Sequence, residues 1–193
     1  MLIFALNFKI FSMNSIHLHD KTFKPFIPSN QIHKAIDAIA EQMNRELKEE
    51  PLPLFVSVLN GAFMFTADLI RKMDFDLELS FIKVSSYCGT QSTGEVNEII
   101  GLNTSVEGRT VVIVEDIVDT GVTVEKLVEM LKKHHPTQIK ICTFLLKPDQ
   151  YKKSIPLDYV ALMIPNAFIV GYGLDYNSLG RQLPDIYVIE PSE

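Results

Sequence analysis

Two kinds of apolar pattern alternate along the chain. Ile32, Ile36, Ile39, Met43 and Leu47 recur at helical spacing, with Lys34, Asp37, Glu41, Arg45 and Lys48 mostly off the stripe. This predicts an amphipathic helix with Ser29 as its N-cap, stopped by Pro51-Leu52-Pro53. Phe23, Phe26 and Ile27, before it, are expected to lie across the domain surface. Leu54 to Leu59 is a short apolar run that predicts a buried strand, turned by Asn60-Gly61 into a helix over Ala62 to Met73 with Phe63, Ala67 and Ile70 on one side. Leu77 to Tyr87 and Glu98 to Leu102 predict a long hairpin around a polar, glycine-containing connection. Ile139 to Leu146, Asp158 to Ile164 and Ile186 to Ile189 predict further strands. Strands alternating with helices through the middle predict an α/β fold with a mainly parallel twisted sheet flanked by helices.

The strongest pattern is VVIVEDIVDTGVT, Val111 to Thr123. Four β-branched residues with no polar alternation suit a strand buried on both faces. The run breaks into the adjacent acids Glu115 and Asp116, passes through Asp119-Thr120-Gly121-Val122-Thr123, and enters a helix from Val124 to about His134, with Val124, Leu127, Val128 and Leu131 inward. The end of such a strand is where open α/β sheets bind ligands, and the start of such a helix offers free N–H groups to a phosphate.

Composition narrows the class. With 193 residues, 47% of them hydrophobic, the chain has enough apolar material for one ordinary domain. A net charge of −6 speaks against a nucleic-acid partner. Cys88 and Cys142 have no metal-type spacing and are expected as reduced thiols in a cytoplasmic protein. The apolar start, MLIFALNFKIF, lacks a basic flank and is too short to span a bilayer, so no membrane partner is expected. Met13 follows it closely; residues 1–12 are expected to be an N-terminal extension and 13–193 a single domain.

The central loop lacks both the P-loop and the dinucleotide glycine patterns. Even so, Asp119 to Thr123 combines backbone donors, two hydroxyls and a flexible glycine at a helix start, enough for one phosphate monoester. Glu115 and Asp116 suit vicinal sugar hydroxyls or a hydrated Mg²⁺. A phosphate cradle beside a diol binder describes a ribose 5-phosphate site. Lys147, directly after a strand, reads equally as a solvated terminus or a ligand-binding ammonium. Asn60-Gly61 reads equally as an ordinary turn or a functional one. His134 and His135 suit the negative end of a helix.

VVIVEDIVDTGVT resembles the phosphoribosyl-diphosphate signature of the type I phosphoribosyltransferases. With LNGAFMFTADL, SSYCGTQSTGE, LLKPD and FIVGYGLDYNSLGRQLP in the same order, the chain from about Leu54 to Ile189 is similar to the hypoxanthine (hypoxanthine-guanine) branch. The resemblance implies the type I fold with a small hood region and a mobile hairpin lid, transfer of a 5-phosphoribosyl group to a 6-oxopurine, Mg²⁺, and a homodimer or homotetramer. It implies Asp119 as general base, Glu115 and Asp116 on the ribose, and Asp119, Thr120, Gly121, Val122 and Thr123 on the 5-phosphate. Lys147, Phe168, Ile169 and Asp175 would meet the purine. Leu59, Asn60, Gly61 and Arg181 would meet pyrophosphate, with a cis peptide between Leu59 and Asn60. Asn60 stands where well-known members carry a basic residue. Ser86 and Tyr87 would belong to the lid. Asp175 would hold the metal, with Glu115 and Asp116 as further candidates. A non-catalytic nucleotide sensor of the same fold, or an enzyme for another base, are the competing expectations.

Overall fold

The computed structural model describes residues 14–85, 97–100, 102 and 104–191. The expected N-terminal extension and the lid residues Ser86 and Tyr87 lie outside these. The chain forms β1 (Ile16–Leu18), β2 (Lys21–Ile27), α1 (Ser29–Leu47), β3 (Leu54–Leu59), α2 (Phe63–Ile70), β4 (Glu78–Ser85), β5 (Asn97–Ile100), β6 (Thr110–Val118), α3 (Val122–Lys132), β7 (Gln138–Leu146), β8 (Tyr159–Met163), β9 (Ile169–Val170) and β10 (Ile186–Ile189). Among the described residues no helix is long and apolar enough to cross a membrane.

The main sheet has the order β5-β4-β3-β6-β7-β8. All neighbours are parallel except β5, which returns antiparallel against β4. From β3 the chain crosses through α2 to β4 on one side. From β6 it crosses through α3 to β7 on the other. Because such crossovers keep one hand, the two helices fall on opposite faces of the sheet. Phe65 and Leu69 of α2 join the stripe of α1 over one face, while Val124, Leu127, Val128 and Leu131 of α3 cover the other. The strand order reverses between β3 and β6, whose carboxyl ends therefore open a crevice.

Strand β6 runs further than its apolar residues suggest. It continues through Glu115 and Asp116 to Val118, because β7 keeps pairing with it as far as Leu146. Val112, Val114 and Ile117 lie with the α1–α2 side, whereas Val111, Ile113 and Val118 lie with the α3 side. The in-and-out alternation thus slips across the two acids.

Helix α2 is shorter than the sequence predicts and turned differently: Phe65, Thr66 and Leu69 are buried, while Phe63 is 42% exposed. The buried Ser57–Thr66 hydroxyl contact, 2.7 Å, rotates the helix so that a polar residue faces β3.

The N-terminal segment does not lie loosely across the surface. β1 and β2 join β10 and β9 in a second, four-stranded sheet, the expected hood. Phe23 is fully buried there with Val170 and Tyr187. The expected cap of α1 is also different. Pro28 precedes the helix with no side-chain cap of its own, and the Ser29 N–H donates at 2.6 Å to Asp185, just before β10. A sequence-distant carboxylate thus satisfies a free donor and places a negative charge at the helix start. Asp185→Ala is expected to lower stability by about 1 kcal/mol in urea denaturation, and Ser29→Ala by only a few tenths.

Candidate active site

The site grows from the ends of β3 and β6. After Leu59 the chain makes a cis peptide to Asn60, as the resemblance implies, and Gly61 then lies flat against β6. A Cβ on Gly61 would fall 1.4 Å from Asp116 Oδ2, so only glycine lets the two strand ends come this close. Gly173 closes the same corner from the loop before β10: a Cβ there would lie 2.2 Å from the Gly61 carbonyl oxygen.

The two adjacent acids meet different neighbours. Asp116 faces Gly61, and its Oδ1 accepts from the Ile117 N–H at 2.8 Å. Glu115, only 5% exposed, lines a small cup formed with residues 117–124. Burial, and then the charge of Asp116, push the Glu115 carboxyl well above the usual carboxylate range. Burial likewise raises Asp116 from 3.8 to about 6; the Arg181 guanidinium opposes this rise and the Asp175 carboxylate adds to it. These influences bring Asp116, Asp175 and Arg181 into one electrostatic group. Arg181 pairs with Asp175 at 2.6 Å and donates at 2.6 Å to the Gly173 carbonyl. The Ser178 N–H donates to the other Asp175 oxygen at 2.7 Å.

Beyond the acids, Gly121 has φ +84 and stands as the cap residue of α3 with no side-chain hydrogen bond to the first turn. The first-turn N–H groups are therefore left for a ligand or solvent. The cup there has a volume of about 80 Å³, room for a single phosphoryl group in place of two or three waters. Tyr151 and Lys153 pack against Gly121: a Cβ there would lie 2.5 Å from the Tyr151 ring and 2.9 Å from the Lys153 stem. Lys153 is held by Glu125 at 2.6 Å.

Lys147 is not a solvated strand terminus. It is 9% exposed, its N–H donates to the Val118 carbonyl at 3.0 Å, and its Nζ reaches Asp119 at 2.9 Å. Asn166 Oδ1 accepts from the same ammonium at 3.4 Å. Phe168, two residues on, is 46% exposed and sits edge-on to Tyr176 with centroids 5.7 Å apart. Ile169 is buried in β9. Tyr172, by contrast with Phe168, is only 2% exposed.

Two groups thus form within the site, Asp119–Lys147–Asn166 and Gly61–Asp116–Asp175–Arg181–Gly173, joined through the end of β6. Asn166, Tyr151 and Lys153 carry no motif in the sequence. Their roles arise from loops that fold back over the strand ends. Among the described residues no cluster of three or more metal-ligating side chains occurs.

Proteins of known structure and sequence share this architecture. The phosphoribosyl transferase domain family model matches residues 28–177. The hypoxanthine-guanine phosphoribosyltransferase of Bacillus subtilis is 44% identical over 88% of this chain and 94% of its own. A crystal structure of a Staphylococcus aureus hypoxanthine phosphoribosyltransferase superposes with a TM-score of 0.81 at 38% identity, covering 87% of this chain and 91% of that one. A Trypanosoma cruzi hypoxanthine phosphoribosyltransferase gives 0.81 at 35% identity, covering 91% and 95%. With the signature strand, the cup at the start of α3 and the Lys147–Asp119 pair in place, the chain belongs to the phosphoribosyl transferase domain family, in its hypoxanthine-guanine branch.

Proposed function

We propose that this chain salvages purines by transferring the 5-phosphoribosyl group of phosphoribosyl diphosphate to hypoxanthine, and to guanine, releasing pyrophosphate. One observation carries the choice of base. Lys147 Nζ and the Asp119 carboxylate lie 2.9 Å apart, a donor beside an acceptor. A 6-oxopurine carries its exocyclic oxygen and imidazole nitrogen side by side on one edge. The oxygen accepts from Lys147 while the protonated ring nitrogen donates to Asp119. A 6-aminopurine offers Lys147 a donor and is rejected.

As the C1–pyrophosphate bond of the ribose breaks and a C1–N bond forms at the purine, Asp119 takes the imidazole proton. The 5-phosphate sits in the cup of Asp119 to Thr123, with Glu115 and Asp116 on the ribose hydroxyls. Phe168 stacks on the base, and the Ile169 backbone meets its edge. Leu59, Asn60 and Gly61, with Arg181, hold pyrophosphate, and Ser86 and Tyr87 belong to a lid that excludes water. For Mg²⁺, support comes from the donor set: two carboxylates, Asp116 and Asp175, near enough for one to raise the other, suit an ion bound by one or two carboxylates plus phosphate oxygens. Asp175, joined by Asp116, would hold it, and the ion would stabilise charge on the leaving pyrophosphate. The chain acts as a cytoplasmic homodimer or homotetramer; in the T. cruzi relative the C-terminal region has a role in the oligomeric state.

A spectrophotometric assay with phosphoribosyl diphosphate and Mg²⁺ should show turnover of hypoxanthine, with kcat/KM for adenine lower by at least about 10³-fold. Binding of phosphoribosyl diphosphate with no turnover of hypoxanthine, guanine or xanthine would point to a sensor instead. Asp119→Asn should lower kcat by about 10²–10⁴-fold while keeping affinity for inosine 5′-monophosphate.

The acids also carry a stability cost. Asp116 has a folded pKa of about 6, raised from 3.8, so the folded chain binds more protons between these values and loses stability as pH rises through them. Asp116→Asn removes that loss. The variant is expected to melt higher than the wild-type apoprotein at pH 7.5, by roughly 1–3 kcal/mol of stability, with the gain gone by pH 4, while catalysis falls. An unchanged melting difference across this range would refute the assignment.

A further inference from the structure

Asp175 and Arg181 both lie on the loop between β9 and β10, which belongs to the second sheet. Gly61 lies in the turn after β3 of the main sheet. Something must fix the spacing between them. The loop turns through three consecutive residues of positive φ: Gly171 at +104, Tyr172 at +46 and Gly173 at +96. For a tyrosine this backbone is uncommon and persists only where the surroundings over-determine it. Backbone bonds clasp the loop onto the segment that follows it: Tyr172 N–H donates to Leu183 at 2.8 Å and Gly173 N–H to Arg181 at 3.0 Å.

The Tyr172 side chain leaves this turn inward. Its ring meets Phe144 of β7 with centroids 5.0 Å apart. Its hydroxyl donates at 2.6 Å to Asp68 of α2, the helix that begins two residues after Gly61. Asp68 also faces Arg71 at 3.4 Å and His33 of α1 at 3.9 Å. Burial and the neighbouring carboxylate hold the Tyr172 phenol far above its ordinary range, so it stays a donor. On the far side of the same turn, Gly173 abuts the Gly61 carbonyl, and its own carbonyl accepts from Arg181.

We infer that Tyr172 and Asp68 are positioning residues: their hydrogen bond latches the loop bearing Asp175 and Arg181 to the helix that follows the Leu59–Gly61 turn, and so sets the spacing of the two walls that receive the diphosphate. The inference rests on the proposed function for what those walls hold. Neither side chain touches the reacting atoms. The latch acts on the diphosphate side of the site, whereas the 5-phosphate cup and Lys147 hang from β6 and β7 and do not depend on it. Loss of the bond should therefore weaken phosphoribosyl diphosphate more than inosine 5′-monophosphate.

Calorimetric titration of the full chain with each ligand, in Mg²⁺, tests this. Tyr172→Phe should weaken phosphoribosyl diphosphate about tenfold and inosine 5′-monophosphate by less than about twofold, the size expected of one hydrogen bond to a charged group. Asp68→Ala, which leaves the Tyr172 ring in place, should reproduce the split and serves if Tyr172→Phe proves unstable. Asp68→Asn keeps an acceptor oxygen and should restore near-wild-type binding. Unchanged diphosphate affinity in both Tyr172→Phe and Asp68→Ala, or equal loss of both ligands, would overturn the latch. A wild-type chain that binds both ligands but fails to turn over hypoxanthine would sink the proposed function alone, since the split between the two ligands is read without turnover.

Discussion

Where β3 and β6 lie side by side, the chain leaves the sheet in opposite directions, and the site depends on that divergence. Parallel pairing of Leu54 to Ser57 with Val111 to Val114 brings two strand ends together, each followed by a turn into a helix on its own face. Among the described residues no other neighbouring pair of strands in the sheet gives two such turns in opposite directions. The closeness is set by Gly61, since any Cβ there would occupy the Asp116 carboxylate. Bulk at this one position would separate the walls from which the rest of the site is hung.

This closeness has an electrostatic consequence. The end of a buried strand is a poor place for two carboxylates. Both are pushed toward protonation by burial, and each feels the charge of its neighbours. Arg181 partly offsets this from the opposite loop, where it already pairs with Asp175. Cations and hydroxyl-bearing ligands are the natural complement of such a corner. Toward α3 the balance differs: Glu115 lines the cup there, but the uncapped helix N–H groups favour an anion. A single short strand end thus presents an acid-rich wall and a cup of free helix N–H groups, separated by the slip in its alternation between Val114 and Ile117.

The second sheet completes the site, and its stability is tied to that of the main domain. Asp185 caps α1, Phe23 seals the small core beneath Phe168, and Tyr172 reaches α2. Each joins residues more than a hundred positions apart or lies in the N-terminal segment far from the signature. The site is therefore assembled from two layers held together by the main apolar cluster, which Ile27, Ile169, Tyr172, Leu174 and Ile186 of the second layer enter, and by a few polar contacts.

Sequence by itself determined the helix stripes of α1 and α3, the places of most strands along the chain, and the grouping of acids, hydroxyls and glycine at Glu115 to Thr123, because hydrophobic period and short-range spacing are local properties. Local spacing left Lys147 undecided, and only the family resemblance assigned it to the purine: an ammonium after a strand is the same in sequence whether it meets water or Asp119. It misplaced Phe23 and the cap of α1, and it oriented α2 wrongly, because these depend on partners supplied by β10, Asp185 and Ser57. The course of β6 past its apolar run was equally hidden, since pairing with β7 carried it through two acids that local preference would have put in a loop. Only the tertiary structure decided which side chains meet, because a contact such as Tyr172 with Asp68 is made by the packing of two layers and leaves no periodic trace in either segment.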